Sequence, residues 1–363
     1  MTDPTADPIK VLASGDHFIA PQLFVDALKE AAPGTALDFR TQTTPWPHTP
    51  FGPVGNVKEA SGTEDELLEA LGDAEVALIQ MAPFTERVIR EAPNLKLIAV
   101  ARGGPVNVDV EAATRAGIPV TFTPGRNAAA AAEFALGLML AALRRIPASD
   151  AELKKGTWRG DYYAIENAGI ELDGTTVGLV GYGAIGAIVA RVLRAFGSEV
   201  LVADPYADPA KAAADGVELV ALEELLRRSS VVSLHARVTP ETRHMLNADN
   251  LKLLPKGAVL VNSARGELMD YDPLPAMLES GHLGALALDV YDVEPPPADW
   301  PLHRAPNVIT TPHLAGATRQ TADRAAAITA AQAAAYLRGE RPEFVVNPEV
   351  FDTTGAAGGG QQS

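Results

Sequence analysis

The chain has 363 residues, 47% of them hydrophobic and 21% charged, which is too much for one ordinary core and fits two globular domains. A formal net charge of -16 sets it against phosphate backbones and anionic lipid, so neither nucleic acid nor a membrane surface is expected as a partner. There is no cysteine, which excludes disulfides, thiolate metal sites and cysteine nucleophiles and suits a cytoplasmic location.

The N-terminal MTDPTADP is polar and acidic, without the basic and apolar regions of a signal peptide. Four short β-rich runs follow: IKVLA from Ile9, VALIQ from Val76, LKLIAV from Leu95 and IPVTF from Ile118. Between the first two, residues 41–63 are rich in Thr, Pro and Gly and are predicted to form a long surface loop rather than a lid. Ala128 to Arg145 is the most apolar long segment. Glu133 interrupts it and alanine is only weakly apolar, so it is predicted to be a buried domain-connecting helix and not a membrane span.

A second series of runs then begins: TTVGLVG from Thr175, EVLVAD from Glu199, VVSLHA from Val231, AVLVNSA from Ala258, ALALDV from Ala285 and NVITTPH from Asn307. Helical patterns such as AIGAIVARVLRAFG lie between them. Near-continuous apolar strands are covered on both faces, which predicts α/β architecture with two doubly wound parallel-sheet domains. The helical pattern from Ala317 is expected to return the chain to the first domain. The expected boundaries are 1–126 plus 318–350 for a discontinuous domain and 127–317 for the domain inserted in it. Residues 351–363, ending in GAAGGGQQS, are expected to be a disordered tail.

The inserted domain carries GYGAIG at residues 181–186, between the apolar strand TVGLV and a helix. Gly181 permits a tight turn, Gly183 lets the backbone approach a pyrophosphate, and Gly186 lets helix and strand pack closely. The helix N-terminus, with Ala184 and Ile185, offers free N–H groups and a positive dipole end to phosphates. Asp204 ends the next strand, where an acid grips ribose hydroxyls and repels the 2′-phosphate of NADP; the alternative is an aspartate capping the turn before Pro205. The expected cofactor is therefore NAD, with Ala264 completing its contacts. The fold becomes a Rossmann NAD domain inserted in a flavodoxin-like substrate domain.

Three ionisable residues stand at later strand ends: Arg265, Glu294 and His313. Ligands of open parallel sheets bind beyond the carboxyl ends of strands, where all three can converge. Arg265 has the planar fork that matches a carboxylate. His313 can hold and donate a proton near neutral pH, and Glu294 can fix its tautomer. No group of histidines falls at metal-ligand spacing, so no metal is expected.

ELDGTTVGLVGYGAIG, VSLHARVTPETRHMLN, LPKGAVLVNSARGELMD, ALDVYDVEP and TPHLAGAT together resemble the D-isomer-specific 2-hydroxyacid dehydrogenase family, in the family's order over most of residues 170–318. The resemblance implies hydride transfer at C2 of a small anionic 2-keto or 2-hydroxy acid, with Arg265, Glu294 and His313 as the catalytic set. It also implies that Asp289 contacts the nicotinamide amide and that a homodimer forms through the cofactor domain. Upstream, RGGPVNVD resembles the family's substrate loop, with Gly103 and Gly104 offering amides to a carboxylate. There the chain departs from the pattern, because Arg102 replaces a glycine and is either an added substrate cation or a surface arginine. A second departure is Arg237 where proline is common. A non-enzymatic NAD-sensing scaffold, like the corepressors of the same family, is the alternative reading.

Overall fold

The computed structural model describes residues 7–352, and both MTDPTA and the expected tail beyond Asp352 lie outside the described residues. Phe351, expected at the head of that tail, closes a short 3-10 turn, Pro348–Phe351. Residues 7–126 with 317–352 make one compact unit and residues 127–316 make another.

In the first unit five strands run parallel in the order Leu37–Thr43, Ile9–Gly15, Val76–Ile79, Leu97–Val100, Val120–Thr121. Successive strand residues face opposite sides of a sheet, and here both sides are filled. Leu12, Ile79, Ile98 and Val100 enter one core, while Val11, Leu78, Leu97 and Ala99 enter the other. The second of these cores is completed by Phe24 and Leu28 of helix Pro21–Ala31 and by Ala322, Ala325, Ala326, Ala330 and Ala333 of helix Arg319–Leu337.

Two features of this unit correct the sequence reading. Leu37–Thr43 is a strand at the sheet edge whose residues are all exposed or half-buried, so it has no apolar run to announce it. Residues 41–63 are not a structureless loop. They hold the end of that strand and a hairpin, Gly52–Val54 with Val57–Ala60, closed by Gly55 and Asn56. Gly55 has φ 54°, the left-handed conformation that a two-residue hairpin turn requires.

The second unit is a seven-stranded parallel sheet in the order Glu218–Leu219, Glu199–Ala203, Thr176–Val180, Val231–Leu234, Ala258–Asn262, Leu283–Leu288, Val308–Thr310. Six of these strands match the sequence reading; the two-residue edge strand Glu218–Leu219 does not appear in it. Val200, Val202, Val259 and Val261 pack on one face, and Leu201, Leu260, Leu286 and Leu288 on the other. Burying each such leucine contributes roughly 1.5–3 kcal/mol. Helix Ala128–Leu143 packs against helix Ala184–Ala195 and the strands Ala258–Asn262 and Leu283–Leu288. Nine of its sixteen residues are buried, and Glu133, its one charged residue, lies on an exposed face with Gly137. No helix among the described residues is long and apolar enough to cross a membrane. The strand order reverses between Thr176–Val180 and Val231–Leu234, the place where an open α/β sheet forms its ligand crevice.

Candidate active site

The glycine turn stands at that reversal, and its three glycines face three different constraints. Gly181 has φ 100°, and a Cβ there would lie 2.6 Å from Ala236 N. A Cβ on Gly186 would lie 2.3 Å from the Gly181 carbonyl oxygen, so helix and turn touch backbone to backbone. Gly183 meets nothing within 4 Å, which leaves its outer side open. It is the N-cap of helix Ala184–Ala195, and no side chain caps that end. Free helix N–H groups beside open space fit the pyrophosphate of a dinucleotide.

Asp204 reaches back to this turn. Its Oδ2 accepts the Tyr182 N–H at 2.7 Å and its Oδ1 accepts the Tyr206 N–H at 2.9 Å. The turn-capping alternative is thus realised, and any ribose hydroxyl would share a carboxylate that also fixes the glycine turn. Beneath the turn, burial pushes the His235 imidazole down to about 4, so it is neutral at pH 7 and hydrogen-bonds Ser233 Oγ through Nε2 at 3.0 Å.

The sheet's carboxyl end also gathers the ionisable trio. His313 Nδ1 and Glu294 Oε2 are 2.7 Å apart, and Glu294 Oε1 accepts the Tyr291 N–H at 3.1 Å. Burial acts to raise the Glu294 carboxyl, but the hydrogen bond and charge of His313, the Tyr291 N–H and the charge of Arg265 together hold it below the usual carboxylate range. Arg265 is exposed, and its Nη1 donates to the Ala264 carbonyl at 2.6 Å. The residue after it must be glycine, because a Cβ on Gly266 would lie 2.0 Å from the Tyr291 carbonyl. Arg237 is exposed, and its carbonyl accepts a hydrogen bond from Thr242 Oγ1 at 2.6 Å.

Asp289, which the resemblance sets against the nicotinamide amide, lies beneath the segment that carries His313. It is 0% exposed, and both its oxygens serve the segment that carries His313. Oδ1 accepts Thr311 Oγ1 at 2.6 Å and the Leu314 N–H at 2.8 Å, and Oδ2 accepts the Ala315 N–H at 2.8 Å. His313 itself has φ 54°, a conformation costly for a side chain with a Cβ. A buried carboxylate with three donors is what holds such a residue in place. Tyr291 adds to the clamp, its hydroxyl donating to the Thr311 carbonyl at 2.8 Å.

The first unit carries the remaining residues singled out in the sequence. Arg102 follows the strand Leu97–Val100 and its side chain is 16% exposed, so it is not a surface arginine. It is not a free cation either, because Nη2 pairs with Glu59 and Nη1 donates to the Glu59 carbonyl at 3.2 Å. Gly103 and Gly104 follow it, and a Cβ on Gly104 would meet nothing within 4 Å.

Comparison with known proteins agrees with these motifs. Residues 136–315 match the family described as D-isomer specific 2-hydroxyacid dehydrogenase, NAD binding domain. The chain is 42% identical over 297 residues to a D-3-phosphoglycerate dehydrogenase of Methanocaldococcus jannaschii, covering 81% of this chain and 56% of that protein. It thus spans about half the length of the curated D-3-phosphoglycerate dehydrogenases that it matches. A glyoxylate reductase of Korarchaeum cryptofilum is 37% identical over 294 residues, covering 80% of this chain and 88% of its own. Among solved structures, the TT0316 protein of Thermus thermophilus superposes with a TM-score of 0.76 at 34% identity, covering 93% of this chain and 100% of the other.

Proposed function

Because this chain belongs to the D-isomer specific 2-hydroxyacid dehydrogenase family, with a nicotinamide dinucleotide as its cofactor, we propose that it moves a hydride between NAD(H) and C2 of a small 2-hydroxy or 2-keto acid. The observation that carries this reading is the His313–Glu294 pair at 2.7 Å, within the field of Arg265 at the carboxyl end of the sheet. The bound dinucleotide supplies the hydride. Glu294 holds Nδ1, which leaves Nε2 of His313 to give a proton to the carbonyl oxygen as it gains charge. Arg265 swings from the Ala264 carbonyl to the substrate carboxylate or carbonyl, exchanging one acceptor for a charged one. Asp289 and Thr311 keep the imidazole at its station. The test is initial rates with NADH over glyoxylate, hydroxypyruvate, phosphohydroxypyruvate and pyruvate. The reading fails if none turns over above the protein-free background.

NADH should be preferred to NADPH, since the Asp204 carboxylate stands by the glycine turn with a negative charge. Asp204→Asn keeps an acceptor for Tyr182 and removes the charge, so the ratio of kcat/KM values for the two cofactors should narrow roughly tenfold or more. An unchanged ratio would confine Asp204 to the turn.

A homodimer through the cofactor unit is supported by the stretch 146–170, where Trp158, Tyr163 and Ile165 are 84%, 97% and 90% exposed. Apolar surface of that kind is usually covered by a partner. Sedimentation velocity should give a dimer for the wild-type chain and a monomer for Trp158→Asp/Tyr163→Asp. A wild-type monomer at micromolar concentration would sink this. A reducing cytoplasm suits a chain without cysteine.

A further inference from the structure

A dinucleotide brings a diphosphate to the glycine turn, and the turn itself meets it with N–H groups alone. Tyr182, Ala184 and Ile185 stand around its glycines, and none of them carries a charge. The charge fastened to the turn is of the wrong sign, because Asp204 Oδ2 accepts the Tyr182 N–H at 2.7 Å. Lys211 lies 5.1 Å over the Tyr182 ring, but it pairs with Asp215. Helix N–H groups and a positive dipole end attract an anion, and a guanidinium within reach adds charge-assisted hydrogen bonds to them.

Arg237 is such a group. Asp204 follows the strand on one side of the glycine turn, and Arg237 follows Val231–Leu234, the strand on the other. The His235 N–H donates to the Val180 carbonyl at 2.7 Å, and the chain then passes against the turn. A Cβ on Gly181 would lie 2.7 Å from the His235 carbonyl carbon and 2.9 Å from Ala236 Cα. Consecutive Cα atoms are about 3.8 Å apart, so Arg237 Cα stands within about 7 Å of that point, a gap that an arginine side chain spans. Arg237 is exposed, and its guanidinium has no hydrogen-bond or ion-pair partner among the described residues. Its backbone is fixed all the same. Thr242 Oγ1 donates to the Arg237 carbonyl at 2.6 Å and accepts the Thr239 N–H at 2.7 Å. Glu241, the acid of the same turn, is engaged by Thr239. We propose that Arg237 is the cation that receives the cofactor's diphosphate, on the flank of the glycine turn away from Asp204. The proline common at this position has no such group, so the contact belongs to this chain and not to the family pattern.

The proposal rests on the family's dinucleotide and not on hydride transfer, so binding to the full-length protein tests it. NADH and NADPH are followed by their fluorescence, and ADP and adenosine by their displacement of NADH, at pH 7.5 in low and high salt. Arg237→Ala should raise Kd for NADH, NADPH and ADP at least tenfold in low salt and leave adenosine unchanged, because adenosine lacks the diphosphate. The deficit should shrink in high salt, since an exposed charge pair is screened. Arg237→Lys should recover part of the loss. The proposal is overturned if Arg237→Ala, folded by near-ultraviolet dichroism, binds NADH and ADP as the wild type does. A loss shared equally by adenosine would put the side chain on the adenine, and a loss confined to NADPH would put it on the 2′-phosphate; either result overturns it. Should NADH and ADP depend on Arg237 while the wild-type chain reduces no keto acid, the diphosphate contact stands and the hydride-transfer reading falls.

Discussion

Replacing His313 by asparagine is expected to lower kcat for keto-acid reduction by roughly 10²–10⁴-fold, the usual worth of a positioned general acid. Asparagine is the informative choice because position 313 has φ 54°, which asparagine tolerates better than alanine does. The loop is also held independently of the imidazole, by the three hydrogen bonds that Asp289 accepts from Thr311, Leu314 and Ala315. The variant should therefore fold, and a fluorescence titration should find its NADH affinity close to that of the wild type, since the glycine turn is untouched. A kcat within a few-fold of the wild-type value would remove His313 from the reaction.

Glu294→Gln should have the second-largest effect. Glu294 holds His313 Nδ1 at 2.7 Å through a carboxyl kept ionised below its usual range. Glutamine keeps the shape but removes the charge, and its amide can present an N–H to Nδ1 and so reverse the tautomer. kcat/KM for keto-acid reduction should fall roughly tenfold or more at pH 7.5, while NADH affinity stays close to that of the wild type. Initial rates and a fluorescence titration decide the matter. If the rate does not fall, the 2.7 Å contact carries no proton chemistry.

How much of this was legible depended on whether the signal was local. The strands from Thr176, Glu199 and Val231 announce themselves because a doubly covered strand is apolar throughout. Leu37–Thr43 is a sheet edge with no residue fully buried, so the same criterion misses it. The hairpin at Val54–Val57 had a signature, Gly-Asn between two valines, but the surrounding Thr, Pro and Gly drowned it. The trio was readable because each member ends a strand and the strands are parallel. Asp289 also ends a strand, and nothing in ALALDV shows that its carboxylate fastens the His313 segment. Arg102 and Glu59 lie 43 residues apart, and a pair formed at that separation leaves no pattern in either segment. The glycine turn was legible because Gly181 and Gly186 are required by backbone geometry, while Gly183 keeps its outer side open.

The arrangement of the two units also bears on how the protein comes off the ribosome. Everything the second unit needs lies in one stretch, residues 127–316. The first unit begins earlier but finishes later, because one face of its sheet is closed by the alanines of Arg319–Leu337. During synthesis the N-terminal part of that unit emerges with Val11, Leu78, Leu97 and Ala99 lacking their last cover, and it waits while about 190 further residues are made. At translation rates of about 5–20 residues per second, that wait lasts on the order of ten seconds or more. An apolar β-sheet left half-covered for so long is the kind of surface that chaperones bind, so the demand for help falls on the part of the chain made first.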